Sequence, residues 1–113
     1  MKETVSECPL EKAVLLISGR WRALIIYYLS KGPMRFNELK RANEGISHRM
    51  LSLDLRELEA GGVISRTVIP TVPPQVEYRL TEAGEKLVPL IDQLGDWWED
   101  THRRPAEPER AVA

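Results

Sequence analysis

The sequence predicts an α+β fold, mostly helical, in which four helices lead into a two-stranded hairpin and a fifth helix closes the chain. Three observations carry this prediction. Apolar residues recur at helical spacing as far as Ala60, the period becomes two between Val63 and Leu80, and helical spacing returns after Thr81. The 113 residues suit one domain, here taken as residues 8–103, with a flexible N-terminus over 1–7 and a disordered, Pro-containing tail over 104–113.

Pro9 suits a first helical position, and Leu10, Ala13, Val14 and Ile17 follow at one-face spacing. Ser18-Gly19 interrupts them. A second helix spans roughly Trp21 to Ser30, with Trp21, Leu24, Ile25, Tyr28 and Leu29 as a wide buried stripe, and Gly32-Pro33 ends it. Phe36, Leu39 and Ala42 mark a short third helix, followed by an Asn43-Glu44-Gly45 turn. Ser47 is a good N-cap for a fourth helix running to about Ala60, with Leu51, Leu55 and Leu58 facing inward. Gly61-Gly62 closes it. Val63–Ile69 and Val76–Leu80 read as strands. The intervening Pro70-Thr71-Val72-Pro73-Pro74-Gln75 cannot pair, because three of its six residues lack a backbone donor. Thr81 caps a last helix reaching about His102, with a kink or restart expected at Pro89.

Composition narrows the function. Hydrophobic residues make up 42% and charged residues 29%, the balance of a globular chain. No apolar run approaches the roughly 20 residues needed to cross a bilayer, and the first residues have no secretory pattern. A single cysteine, Cys8, suits a reducing compartment, so a cytoplasmic location is expected. The net charge of −1 hides a polarity. From Arg20 to Arg56 eight Lys/Arg stand against three acids, a net +5; from Glu82 to Asp100 one Lys stands against six acids, a net −5. Such a molecule presents one end to phosphate and turns the other away.

Helix, helix, turn, helix and a two-stranded wing is the layout of a winged helix-turn-helix, with the helix after Ser47 entering a major groove. With its leucines inward, that helix turns His48, Arg49, Ser52, Leu53 and Arg56 outward, donors able to reach guanine edges or phosphates. Arg35, Lys40 and Arg41 are candidates for backbone contacts. Gln75 and Arg79, beside a proline-stiffened wing tip, are candidates for sugar-phosphate, although Arg79 could equally pair with a carboxylate.

These residues also carry a resemblance. Cys8-Pro9-Leu10-Glu11-Lys12-Ala13, Gly19-Arg20-Trp21, Gly32-Pro33-Met34-Arg35-Phe36-Asn37-Glu38-Leu39, Gly45-Ile46-Ser47-His48-Arg49-Met50-Leu51 and Pro73-Pro74-Gln75-Val76-Glu77-Tyr78-Arg79-Leu80-Thr81 follow one another as in the HxlR-type family of bacterial transcriptional regulators. The chain is similar to that family over about residues 8 to 100. The resemblance implies a dimeric winged-helix repressor or activator acting on double-stranded DNA. It also implies attention to Cys8, because some family members sense oxidants, quinones or aldehydes through a cysteine at this position.

A homodimer is expected on physical grounds as well. Neighbouring helical residues diverge by about 100°, so Trp97 and Trp98 cannot both face one small core. One is expected to pack on its own domain and the other on a partner. Leu90, Ile91 and Leu94 extend that surface, and Leu10, Val14 and Ile17 of the first helix supply its second part. Such a dimer would read half-sites about 34–36 Å apart. Cys8 lies where a helix N-terminus favours negative charge, with Lys12 one turn on. With no second cysteine, sensing would need a bridge between subunits, a small-thiol adduct or alkylation. A structural cysteine at a dimer contact is the other reading.

Catalysis finds no support. His48 and His102 lack partners at ligand spacing, and no phosphate loop or nucleophilic triad can be assembled, so no cofactor, metal or enzyme activity is expected. The alternative to a regulator is a winged-helix module for protein–protein contact without DNA. A third reading is ligand control through an aromatic pocket lined by Trp21, Tyr28 or Trp97.

Overall fold

The computed structural model describes residues 7–103. The expectations for residues 1–6 and for the tail 104–113 lie outside the described residues.

Helix α1 (Pro9–Leu16) begins with Cys8 at its N-cap and proline at its first position. None of its residues is buried; Leu16, with Ile17 just beyond, rests on the core. Helix α2 (Arg22–Leu29) is the central helix, touching α3, α4, α5 and β3 as defined below. The expected stripe is shifted. Ile25, Ile26 and Leu29 are buried while Leu24 stays exposed, because the inward face is the i, i+3, i+4, i+7 stripe that begins at Arg22, one position on from the one that begins at Trp21. Helix α3 (Phe36–Ala42) and helix α4 (His48–Ala60) flank a turn in which Gly45 takes φ +98°, a conformation open to glycine at little cost. The Ser47 hydroxyl accepts the Met50 N–H at 3.0 Å, the expected N-cap of α4. Leu51, Leu55 and Leu58 are buried as expected, and Asp54 is buried with them.

Among the described residues the expected two-stranded wing is present, and a third, short strand joins its sheet. β1 (Met34–Arg35) pairs antiparallel with β3 (Gln75–Leu80), which also pairs with β2 (Ile64–Ile69), giving the order β1-β3-β2. A two-residue strand has no period of its own, so nothing in the sequence announced it. Gln75 also departs from expectation. It pairs with Ile69 at the start of β3, and the unpaired tip is therefore shorter, residues 70–74. Position 75 still has the backbone donor that its two preceding prolines lack.

Helix α5 (Glu82–Thr101) starts at Thr81, whose hydroxyl accepts the Gly84 N–H at 3.1 Å. It runs through Pro89 without restarting. Proline removes one backbone donor there, and the turns on either side carry the helix across. Leu87, Val88 and Ile91 pack on the core, but from Asp92 to Thr101 every residue is exposed. The second half of α5 therefore stands off the domain. This corrects the expectation for the tryptophans. Trp97 and Trp98 are 55% and 56% exposed, so neither packs on its own core. Both lie past the point where α5 leaves the domain.

Candidate nucleic-acid interface

The outer face of α4 carries the residues chosen from sequence. Ser47, His48, Arg49, Leu53 and Arg56 are exposed and Ser52 is half-buried. Leucines at i, i+4 and i+7 hold the opposite face in the core, which leaves Arg49 and Arg56 seven residues apart, two turns along the same outward stripe. Among the described residues neither arginine has a hydrogen-bond or ion-pair partner. The His48 ring rests against Phe36 at 4.6 Å, which ties the start of α4 to α3.

A buried ion pair sets the position of α4. Arg22 Nε donates to Asp54 Oδ1 at 2.9 Å, with the two side chains 19% and 6% exposed. The same guanidinium also reaches the Leu16 carbonyl at 3.4 Å, at the end of α1. Sequence reasoning missed Asp54, and one signal could have found it: it is the acid three residues beyond Leu51 and one before Leu55, on the inward side of an amphipathic helix. In the turn before α4, Asn43 is buried and donates to the Leu39 carbonyl at 2.9 Å, while its Oδ1 has no partner among the described residues.

The flanking candidates divide. Lys40 and Arg41 are half-buried and exposed, respectively, and neither has a partner among the described residues. They sit in the last turn of α3, beside the turn that leads into α4. Arg35 and Gln75, distant in sequence, are joined: Arg35 Nη1 donates to Gln75 Oε1 at 2.7 Å. Pairing of β1 with β3 makes this possible and fastens the base of the wing to the start of α3, where the Arg35 N–H also donates to Glu38 Oε1 at 2.7 Å. Arg79 pairs with Glu77 at 2.7 Å, the carboxylate alternative raised for it. The structure adds one cation that had not been singled out, Arg66 on β2, exposed and without a partner among the described residues.

Away from this face lies an apolar surface. Leu10, Val14, Leu90, Leu94, Trp97 and Trp98 are all more than half exposed, on α1 and the outer part of α5. Ile17 and Ile91, counted with them from sequence, pack against the core instead. Trp98 stacks on His102 at 3.6 Å with an interplanar angle of 7°. Cys8 is exposed at the N-cap of α1, and Lys12 pairs with Glu7 at 3.2 Å. Trp21, offered with Tyr28 and Trp97 as a pocket lining, packs on the core, with Arg20 over its ring at 4.4 Å, whereas Trp97 stands in the open. No described helix is long and apolar enough to cross a membrane.

A helix-turn-helix whose second helix turns unpaired arginines outward, flanked by a β-hairpin, defines a winged-helix regulator of transcription. The chain belongs to the HxlR-like helix-turn-helix family, whose model matches residues 16–105. It is 46% identical over 92 residues to the uncharacterized HTH-type transcriptional regulator YybR of Bacillus subtilis, covering 81% of this chain and 74% of that protein. It is 48% identical over 92 residues to YdeP of the same organism, covering 81% and 72%. Among solved structures, the HTH-type regulator YtcD superposes with a TM-score of 0.81 at 41% identity, over 86% of this chain and 99% of that one. The redox regulator HypR in its oxidized form gives a TM-score of 0.76 at 45% identity, over 82% and 96%. The reduced form of the transcriptional regulator YodB from B. subtilis gives 0.74 at 35%, over 84% and 94%.

Proposed function

We propose that the protein acts as a homodimer that binds a two-fold operator in double-stranded DNA. Helix α4 enters the major groove, Arg49, Ser52 and Arg56 reach base edges or phosphates, and Lys40 and Arg41 hold the backbone beside them. The observation that carries this reading is the pair of arginines on the outer face of α4, unpartnered among the described residues, in a domain whose last helix, α5, carries six acids against one lysine. Unpaired guanidinia in a fork geometry suit guanine edges and phosphate oxygens. The dimer follows from the apolar surface of α1 and α5, which one chain leaves in water. Paired across a two-fold axis, it would bury the tryptophans as anchors. Arg35 and Gln75 then serve chiefly to fix the wing, with Arg79 held by Glu77. We place this action in the cytoplasm, a reducing compartment that suits the single Cys8.

The deciding experiment is binding to a duplex from the gene's own upstream region, titrated across salt, with the stoichiometry measured in parallel. Tight, salt-sensitive binding of two chains per site supports the reading. A folded dimer that binds this duplex no better than unrelated DNA would favour the protein-contact module.

A redox input at Cys8 is a second reading, supported by its exposure at the end of α1 next to the proposed dimer surface and by the likeness to HypR. Repeating the titration with an oxidant tests it. Operator release by the wild type that Cys8→Ser abolishes supports the input, and release that survives the substitution removes it.

A further inference from the structure

Strand β2 leaves the core in the middle of a face. Ile64 is buried, and two residues on, with side chains alternating across the sheet, Arg66 falls on the same face but beyond the core and exposed. Its cross-strand partner on β3 is Tyr78, which is buried. This brings Arg66 alongside the second half of α4. There Arg66 and Tyr78 line a cleft of about 360 Å³ together with Ser52, Arg56 and Glu59. Two guanidinia thus line one concavity, and neither has an ion-pair or hydrogen-bond partner among the described residues, although the carboxylate of Glu59 lines the same cleft. Two guanidinia against one carboxylate leave the cleft with an excess of positive charge, and an anion placed between the guanidinia offsets it. Ser52 and Arg56 belong to the outer stripe of α4, so the cleft opens onto the face that meets DNA under the reading above.

We infer that this cleft seats one DNA backbone phosphate, held between Arg56 of α4 and Arg66 of β2. The inference rests on the DNA-binding reading and adds to it a contact the sequence did not suggest. Its chemistry is that of a phosphodiester oxygen pair accepting from two forks. Such a clamp carries no base information. It fixes how far α4 sits along the groove relative to the wing, because one guanidinium comes from each element.

The test is the salt dependence of operator binding for the wild type, Arg66→Gln and Arg66→Lys, each first shown to melt like the wild type. One phosphate contact contributes about 0.9 to the slope of log affinity against log salt. Arg66→Gln should lower that slope by about 0.9, so that between 50 and 200 mM salt the wild type loses about 3.5-fold more affinity than the variant. The loss should be the same on operator and on unrelated DNA, and Arg66→Lys should restore most of the slope. An unchanged slope for Arg66→Gln, or a loss confined to particular base pairs, overturns the inference. Failure of the wild type to bind DNA at all strikes instead at the reading beneath it. Excess inorganic phosphate separates the remaining source of the same chemistry: if it stabilises the free wild type but not Arg66→Gln at constant ionic strength, while the two share one salt slope on the operator, the cleft is a site for free phosphate only and the inference fails.

Discussion

Gly84 lies in the first turn of α5 and is buried. A Cβ built there would overlap the carbonyl oxygen of Val63, and would stand 3.1 Å from the Val63 carbonyl carbon and 3.2 Å from Leu80 Cδ2. The obstacle is backbone, so no side-chain rotation removes it. That carbonyl also accepts the Thr81 N–H at 3.0 Å, and the Thr81 hydroxyl donates to the Gly62 carbonyl at 2.6 Å, so the start of α5 is stitched to the start of β2. Gly84→Ala must push these elements apart. Overpacking costs about 1–3 kcal/mol, here toward the upper end at about 2–3 kcal/mol because the obstacle is backbone, and the better helix propensity of alanine returns about 1 kcal/mol. The expected net is a loss of about 1–2 kcal/mol, a fall of roughly 4–16 °C in Tm for a domain of this size. Thermal melts at one fixed protein concentration would measure it, since a dimer's Tm depends on concentration. Glu85→Ala, exposed at the next position, is the reference and should stay within about 0.5 kcal/mol. A Gly84→Ala variant as stable as the wild type would refute the close packing of α5 on the Val63 carbonyl.

Further outcomes concern the site and the dimer. Asp54→Ala leaves the Arg22 guanidinium half-enclosed without its partner. It should cost about 1.5–3 kcal/mol in urea denaturation, the worth of a charged hydrogen bond, because Arg22 keeps some access to water. A double-mutant cycle with Arg22→Met should return most of that as coupling, and a coupling near zero would mean that the pair does not hold α4. Arg49→Ala should weaken operator binding by about 1–3 kcal/mol and relax preference at one base position in a sequence-variant binding assay; equal loss on every sequence would move Arg49 to a phosphate. Trp98→Ala should weaken self-association by about 2 kcal/mol or more, read by sedimentation over a dilution series. If the dimer is unmoved, α5 does not carry the interface through that ring.

Much of this molecule was legible in its sequence because its signals are local. Ser47 and Thr81 cap the helices they were expected to cap, since a hydroxyl three residues before an unpaired N–H is a short-range geometry. The leucine spacing of α4 placed its inner face and, by exclusion, the outward arginines. The order of helices, turn and wing was legible for the same reason. What the tertiary structure decided are the features that depend on residues far apart in the chain. β1 exists only because β3 lies beside Met34 and Arg35, and that same pairing couples Arg35 to Gln75 across 40 positions. Asp54 could be buried only where Arg22 arrives from another helix. Ile26 replaced Leu24 in the core because the packed face of α2 is turned by one position, with Arg22 drawn in to Asp54. Trp97 and Trp98 were read as needing two different surfaces, but the length of α5 carries both past its own domain. Periodicity reports which side of an element is apolar. Which surface covers that side, and which distant charge meets a buried one, is settled only when the chain folds back on itself.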